Sequence, residues 1–125
     1  MKSALVLFGH GARDPRWAEP FHKLQAQLRA GAGSDAMVEL AFLELMQPGL
    51  PDCVAALVAQ GVQRVQVVPV FFGQGGHLRK DFPVLLDECR AAHPGLDLRV
   101  SPPVGEWDAV LGAILAGSLH ALGEM

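Results

Sequence analysis

The stretch Val65-Gln-Val-Val-Pro-Val-Phe-Phe72, followed by Gly73-Gln-Gly-Gly-His77, decides how this chain folds. A valine-rich run that is apolar at almost every position reads as a strand over 64–71 covered on both faces. Glycines close it, and behind them Leu78, Phe82, Leu85, Leu86 and Cys89 recur at helical spacing until Pro94-Gly95, which predicts a helix over 78–92. A buried strand that passes through a glycine loop into a helix is the repeating unit of a parallel sheet.

The same unit recurs on both sides. Residues 3–9 are a short apolar run closed by glycine, and 37–43 (Met-Val-Glu-Leu-Ala-Phe-Leu) are a second. From Pro15 onward Trp17, Phe21, Leu24 and Leu28 share a helical face, with Asp14 as N-cap, Pro15 at the first helical position and Gly31 as stop. A helix over 49–60 points Val54, Leu57 and Val58 inward and stops at Gly61. Residues 96–101 form a weaker fourth strand, and Val110, Leu111, Ile114, Leu115 and Leu119 supply a last helix over 106–122.

The order βαβαβαβα, with right-handed crossovers, predicts a doubly wound four-stranded parallel sheet of strand order 2-1-3-4 with helices on both faces. At 125 residues the chain is expected to form a single α/β domain over 1–125.

Bulk properties exclude several classes. The net charge is −3 and the longest basic stretch is Arg79-Lys80, so no nucleic-acid partner is expected. No apolar run reaches the ~20 residues of a membrane span, and the apolar start is too short for a signal-peptide core. Cys53 and Cys89 match no paired motif and fall inside predicted helices. They read as reduced core thiols, and a cytoplasmic location is expected.

Topology then gives meaning to two histidines. Strands 1 and 3 are neighbours where the winding reverses, and ligands of open α/β sheets bind outside the C-terminal ends of such strands. His10 leaves strand 1 between Gly9 and Gly11, His77 follows strand 3, and Glu44 closes strand 2 on the same edge. A single strand-end histidine is equally a loop residue bonded to a carbonyl, and Glu44 equally a surface or capping carboxylate. Together, two imidazoles and a carboxylate with open coordination positions suit cobalt, nickel or iron held loosely, as well as proton transfer. Ligating imidazole must be neutral, so activity is expected to fall below about pH 6. His22, His93 and His120 read as structural or solvated.

Other chemistries fit less well. Gly9-His10-Gly11 lacks the arginine that precedes the histidine in histidine phosphatases. The glycines of 73–76 form neither a P-loop nor a dinucleotide fingerprint, and no Gly-x-Ser-x-Gly elbow is present.

Three ordered motifs carry a family resemblance: Gly9-His10-Gly11-Ala-Arg13-Asp14-Pro15, Phe42-Leu-Glu44 followed by Pro48, and Pro69-Val-Phe-Phe-Gly-x-Gly-Gly-His77-x-x-x-Asp81-Phe-Pro83. Together they resemble the sirohydrochlorin chelatases, including the short cobaltochelatases and their iron- and nickel-inserting relatives. The resemblance implies a class II chelatase fold and ATP-independent insertion of a divalent metal, cobalt first with nickel or iron as alternatives, into sirohydrochlorin. It implies no organic cofactor, with the metal as substrate. His10 and His77 become the metal-holding and proton-accepting histidines, with Glu44 the accompanying carboxylate. Arg13 and Arg79 are candidates for gripping the carboxylates of the macrocycle, or else exposed first-turn arginines. Longer relatives of the family contain two fused copies of the unit, so a homodimer is expected to restore the second half. Leu45, Met46, Phe71 and Phe72 could line the cleft or belong to the core. A non-catalytic metal or tetrapyrrole carrier would use the same residues.

Overall fold

Val65 and Val67 are fully buried on one face of the sheet and Val68 is buried on the other, so the valine run is covered from both sides. The computed structural model describes residues 2–33 and 36–125, with the His77 side chain outside the described set. Strands β1 (Ser3–Gly9), β2 (Ala36–Phe42), β3 (Arg64–Pro69) and β4 (Asp97–Val100) form one sheet in the order β2-β1-β3-β4. Every pair is parallel, and Phe8 lies level with Ala41 and Pro69. The four C-terminal strand ends therefore share one edge.

Among the described residues four α-helices connect and follow the strands: α1 (Glu19–Gly31), α2 (Leu50–Ala59), α3 (Gly76–Ala92) and α4 (Asp108–Gly123). One face of the sheet is covered by Leu50, Cys53, Val54 and Leu57 of α2 and by Leu78, Phe82, Leu86 and Cys89 of α3. Phe8 centres this core, its ring stacked on Phe82 at 4.9 Å. On the other face Phe21 of α1 packs with Leu7, Leu40, Phe42 and Val68. Cys53 and Cys89 are free and buried, and loss of hydration pushes the Cys53 thiol up to about 12.

The starts of α1 and α3 and the packing of α4 depart from the sequence reading. Asp14 caps a 3-10 turn over Pro15–Ala18, and α1 starts only at Glu19. Pro20 has no N–H to return to Arg16, and Glu19 instead donates to the Arg16 carbonyl three residues back. α3 starts at Gly76, so the backbone of His77 belongs to the first helical turn, behind Gly75 as N-cap. Glycine at an N-cap is compatible with a helix start, so the helix takes in a glycine that reads as loop in the sequence.

The third departure concerns α4. It was expected to pack like the other helices, but every residue after Val110 is exposed, and its main contact is the 3-10 turn Val104–Glu106 before it. The sheet face it would cover explains this. Arg64 and Gln66 of β3 lie level with Asp97 and Arg99 of β4. Asp97 accepts from both arginines, at 3.2 Å from Arg64 Nε and 3.0 Å from Arg99 Nη2. An apolar helix laid there would strip water from three charges without supplying a partner.

Candidate functional site

β1 ends at Gly9, and the chain turns outward through His10 and Gly11. The end of β2 is stitched to this turn: Leu43 N–H donates to the Gly9 carbonyl (2.9 Å) and Glu44 N–H to the His10 carbonyl (3.1 Å). Gly11 has φ +96°, and a Cβ there would lie 1.8 Å from the Glu44 carbonyl oxygen. Only glycine allows the two turns to approach this closely.

The approach brings the side chains together. His10 Nε2 lies 3.0 Å from Glu44 Oε1, and 44% of each side chain remains accessible. An ionised carboxylate only accepts, so Nε2 donates to it, and in the neutral form of the ring the lone pair is on Nδ1. A histidine whose outer nitrogen donates to a carboxylate is fixed in orientation, the arrangement that metal-binding imidazoles use. The pair is open enough to meet a large reactant.

β3 delivers its segment to the same edge. Val70 N–H donates to the Phe8 carbonyl (2.7 Å), so the pairing with β1 continues one residue past Pro69. The loop then leads to α3 and His77, whose side chain lies outside the described residues. Among the described residues, no group of three or more His, Cys, Asp or Glu side chains is arranged to hold an ion.

The two arginines differ. Arg13 is exposed and lines a cavity beside the His10 turn. Arg79 is exposed in the first turn of α3, where its Nε donates to the Gln74 carbonyl (3.1 Å) and pins the glycine loop. The four apolar candidates divide as well. Phe71 packs edge-on against Phe8 and Phe82, and Met46 is half-buried against the smaller core, whereas Leu45 and Phe72 are 58% and 60% exposed.

Two local features escaped the sequence reading. Leu45 adopts φ +65°, a left-handed conformation costly for a side chain with a Cβ, directly after Glu44. Across the crevice, Gly105 packs so tightly on residue 72 that a Cβ would lie 2.3 Å from the Phe72 carbonyl oxygen. Glycine's presence at 11 and 105 was the available signal, but the contact partners lie far away in sequence. Two apolar side chains are thus held outward, after β2 and β3 and on either side of β1. Two interstrand spacings separate these strands by about 10 Å.

A cavity of about 650 Å³ lies elsewhere, along the outer edge of β2 between α1 and α2. It meets the site loops at Arg13, Leu45 and Met46, and His22 of α1 lies along its wall. The His10–Glu44 pair is at the strand ends, outside the lining of this cavity.

Comparison with known proteins gives the same direction. The family model described as CbiX matches residues 4–119. The sirohydrochlorin cobaltochelatase of Saccharolobus solfataricus is 31% identical over 117 residues, covering 89% of this chain and 88% of that one. That of Methanococcus aeolicus is 34% identical over 88 residues, 69% of this chain and 61% of its own. Among solved structures, the CbiX protein from Marinobacter aquaeolei VT8 superposes with a TM-score of 0.79 at 33% identity, over 98% of this chain and 99% of that one. The sirohydrochlorin chelatase SirB from Bacillus subtilis subspecies spizizenii, in complex with cobalt, gives 0.78 at 25% identity. This chain is covered there over 93% of its length but spans only 49% of SirB.

Proposed function

The chain belongs to the CbiX family, and from that premise we propose that it inserts a divalent metal, cobalt first, into sirohydrochlorin without ATP. The observation that carries the reading is the His10–Glu44 pair, hydrogen-bonded and open to solvent where the winding of the sheet reverses. The names of the relatives, sirohydrochlorin cobaltochelatase and a chelatase in complex with cobalt, support the substrate and the metal.

In this reading the divalent ion is a substrate that arrives on His10 Nδ1 and His77, with the Glu44 carboxylate beside them. The macrocycle lies across the strand ends, resting on Leu45 and Phe72, with its carboxylates toward Arg13 and Arg79. Bending of the ring exposes pyrrole nitrogen lone pairs to the ion. As the ring nitrogens replace the imidazoles on the metal, two N–H protons leave, and His10 and Glu44 accept them. Positioning supplies much of the rate, with general-base help of ~10²–10⁴-fold. No organic cofactor enters the scheme.

Two copies would face one another across the flat macrocycle, each covering one side. A cytoplasmic setting is part of the proposal, and two free, buried thiols support a reducing compartment.

The test is an anaerobic time course of the visible spectrum, comparing Co²⁺, Ni²⁺ and Fe²⁺ at equal free concentration. Many equivalents of metallated product per protein, with cobalt fastest, is the expected result. A reaction that stops at one equivalent identifies a carrier instead.

A further inference from the structure

The turn Val104–Glu106 lies between β4 and α4, remote in sequence from the strand-end motifs, yet it touches the site segment that follows β3. Ser101 N–H donates to the Val67 carbonyl (3.0 Å), which carries the chain along β3, and Gly105 N–H then donates to the Phe71 carbonyl (3.3 Å). Gly105 is buried. A Cβ on it would lie 2.3 Å from the carbonyl oxygen, 2.6 Å from the Cα and 2.8 Å from the carbonyl carbon of Phe72. All three are backbone atoms, so no side-chain rotation would make room.

The two sides of this contact differ in firmness. The turn is held by the Trp107 indole N–H on the Pro102 carbonyl (2.7 Å), by Glu106 N–H on the Pro103 carbonyl (2.9 Å) and by Val104, which packs against the smaller core. Phe71 is fixed by its edge-on contacts with Phe8 and Phe82. Phe72 is anchored differently: its side chain is exposed, and the next residue, Gly73, has nothing within 4 Å of where a Cβ would stand. An atom added at position 105 would therefore displace Phe72 before it displaced the turn.

We propose that Gly105 is a positioning residue for the tetrapyrrole. Its missing side chain lets the Phe72 backbone settle against the turn, and this aims the Phe72 ring outward, onto the face where the macrocycle rests. An aromatic ring supports a planar ligand only over a narrow range of positions, and sites obtain that placement from packed neighbours. This role rests on the reading above, in which Phe72 carries the macrocycle.

Equilibrium binding of metal-free sirohydrochlorin, followed by its visible spectrum, tests the role without requiring turnover. Phe72→Ala should weaken binding ~10-fold and Gly105→Ala at least ~3-fold, with far-UV circular dichroism unchanged. Gly95→Ala, at a glycine whose Cβ would meet nothing within 4 Å, should bind like the wild type. The double variant separates positioning from a general loss of stability. Once the ring is gone its aim no longer matters, so Gly105→Ala/Phe72→Ala should bind within ~2-fold of Phe72→Ala alone. Fully additive losses overturn the proposal, as does a folded Gly105→Ala variant with wild-type affinity. If Gly105→Ala does not fold, Trp107→Phe removes the indole bond of the turn without adding an atom. It should weaken binding ~2–3-fold, and wild-type affinity there overturns the proposal. Wild-type protein that does not bind sirohydrochlorin overturns both this role and the reading it rests on. The expected pattern of affinities without turnover supports the role and overturns the chelatase reading alone.

Discussion

At the scale of single residues, the site depends on backbone contacts that place side chains. His10 and Glu44 meet because Gly11 lets one turn pass over the carbonyl of the other. Replacing His10 or His77 with alanine should lower kcat/KM for cobalt insertion by ~10²–10⁴-fold with folding retained. Glu44→Gln should cost about tenfold, since an amide oxygen can still accept from Nε2 while a weaker base remains for the pyrrole proton. Wild-type rates in both histidine variants would remove these residues from the mechanism. Leu45 makes an independent prediction from its φ of +65°. Glycine there relieves ~1–2 kcal/mol of left-handed strain and adds back ~0.5–1 kcal/mol of unfolded-chain entropy. Leu45→Gly should therefore raise stability by about 0.5–1 kcal/mol in denaturant unfolding. If the exposed side chain carries the macrocycle, the same change should raise KM for sirohydrochlorin several-fold and leave cobalt binding unchanged. A gain in stability without a change in KM would leave the strain without a function.

Among the elements, α2 and α4 are opposites built from similar residues. Both are rich in Leu, Val and Ala, yet Leu57 of α2 is 1% exposed and Leu115 of α4 is 61% exposed. Leu57→Ala should cost about 2–5 kcal/mol, as buried leucine truncations do. Leu115→Ala, measured on dilute, dissociated chain, should stay within about 0.5 kcal/mol of wild type. Equal costs for the two would mean that α4 packs on its own unit. The contrast also shows why sequence reading worked for most elements and failed for α4. Leu50, Cys53, Val54 and Leu57 have a sheet face of apolar residues to meet, and periodicity identifies such faces. Periodicity shows equally that α4 has an apolar stripe, but it carries no information about what lies opposite. The ion cluster that denies α4 a seat joins β3 and β4 across 33 residues. Similarly, Pro20 and Gly75 move helix starts by a few residues through individual hydrogen bonds, which a hydrophobic pattern does not record.

For the whole molecule, the large core between the sheet and α2/α3 holds both thiols away from water. Burial pushes Cys53 up from 9.0 to about 12, so the folded state keeps a proton that the unfolded state releases. The sign follows: this contribution to stability is full below pH 9 and is lost as pH rises from 9 toward 12. Native protein at pH 8 should consume almost no thiol reagent, and denatured protein should consume two equivalents, one for each cysteine. Rapid labelling of native protein would show that the core opens. The sequence by itself determined the parallel sheet, its order, the edge at which His10 and Glu44 emerge and the family, because buried strands, helix stripes and local motifs are written in neighbouring residues. The tertiary structure decided that Glu44 meets His10 Nε2, that Leu45 is strained and that α4 stands unpartnered, because each depends on close contacts, or their lack, between segments distant along the chain.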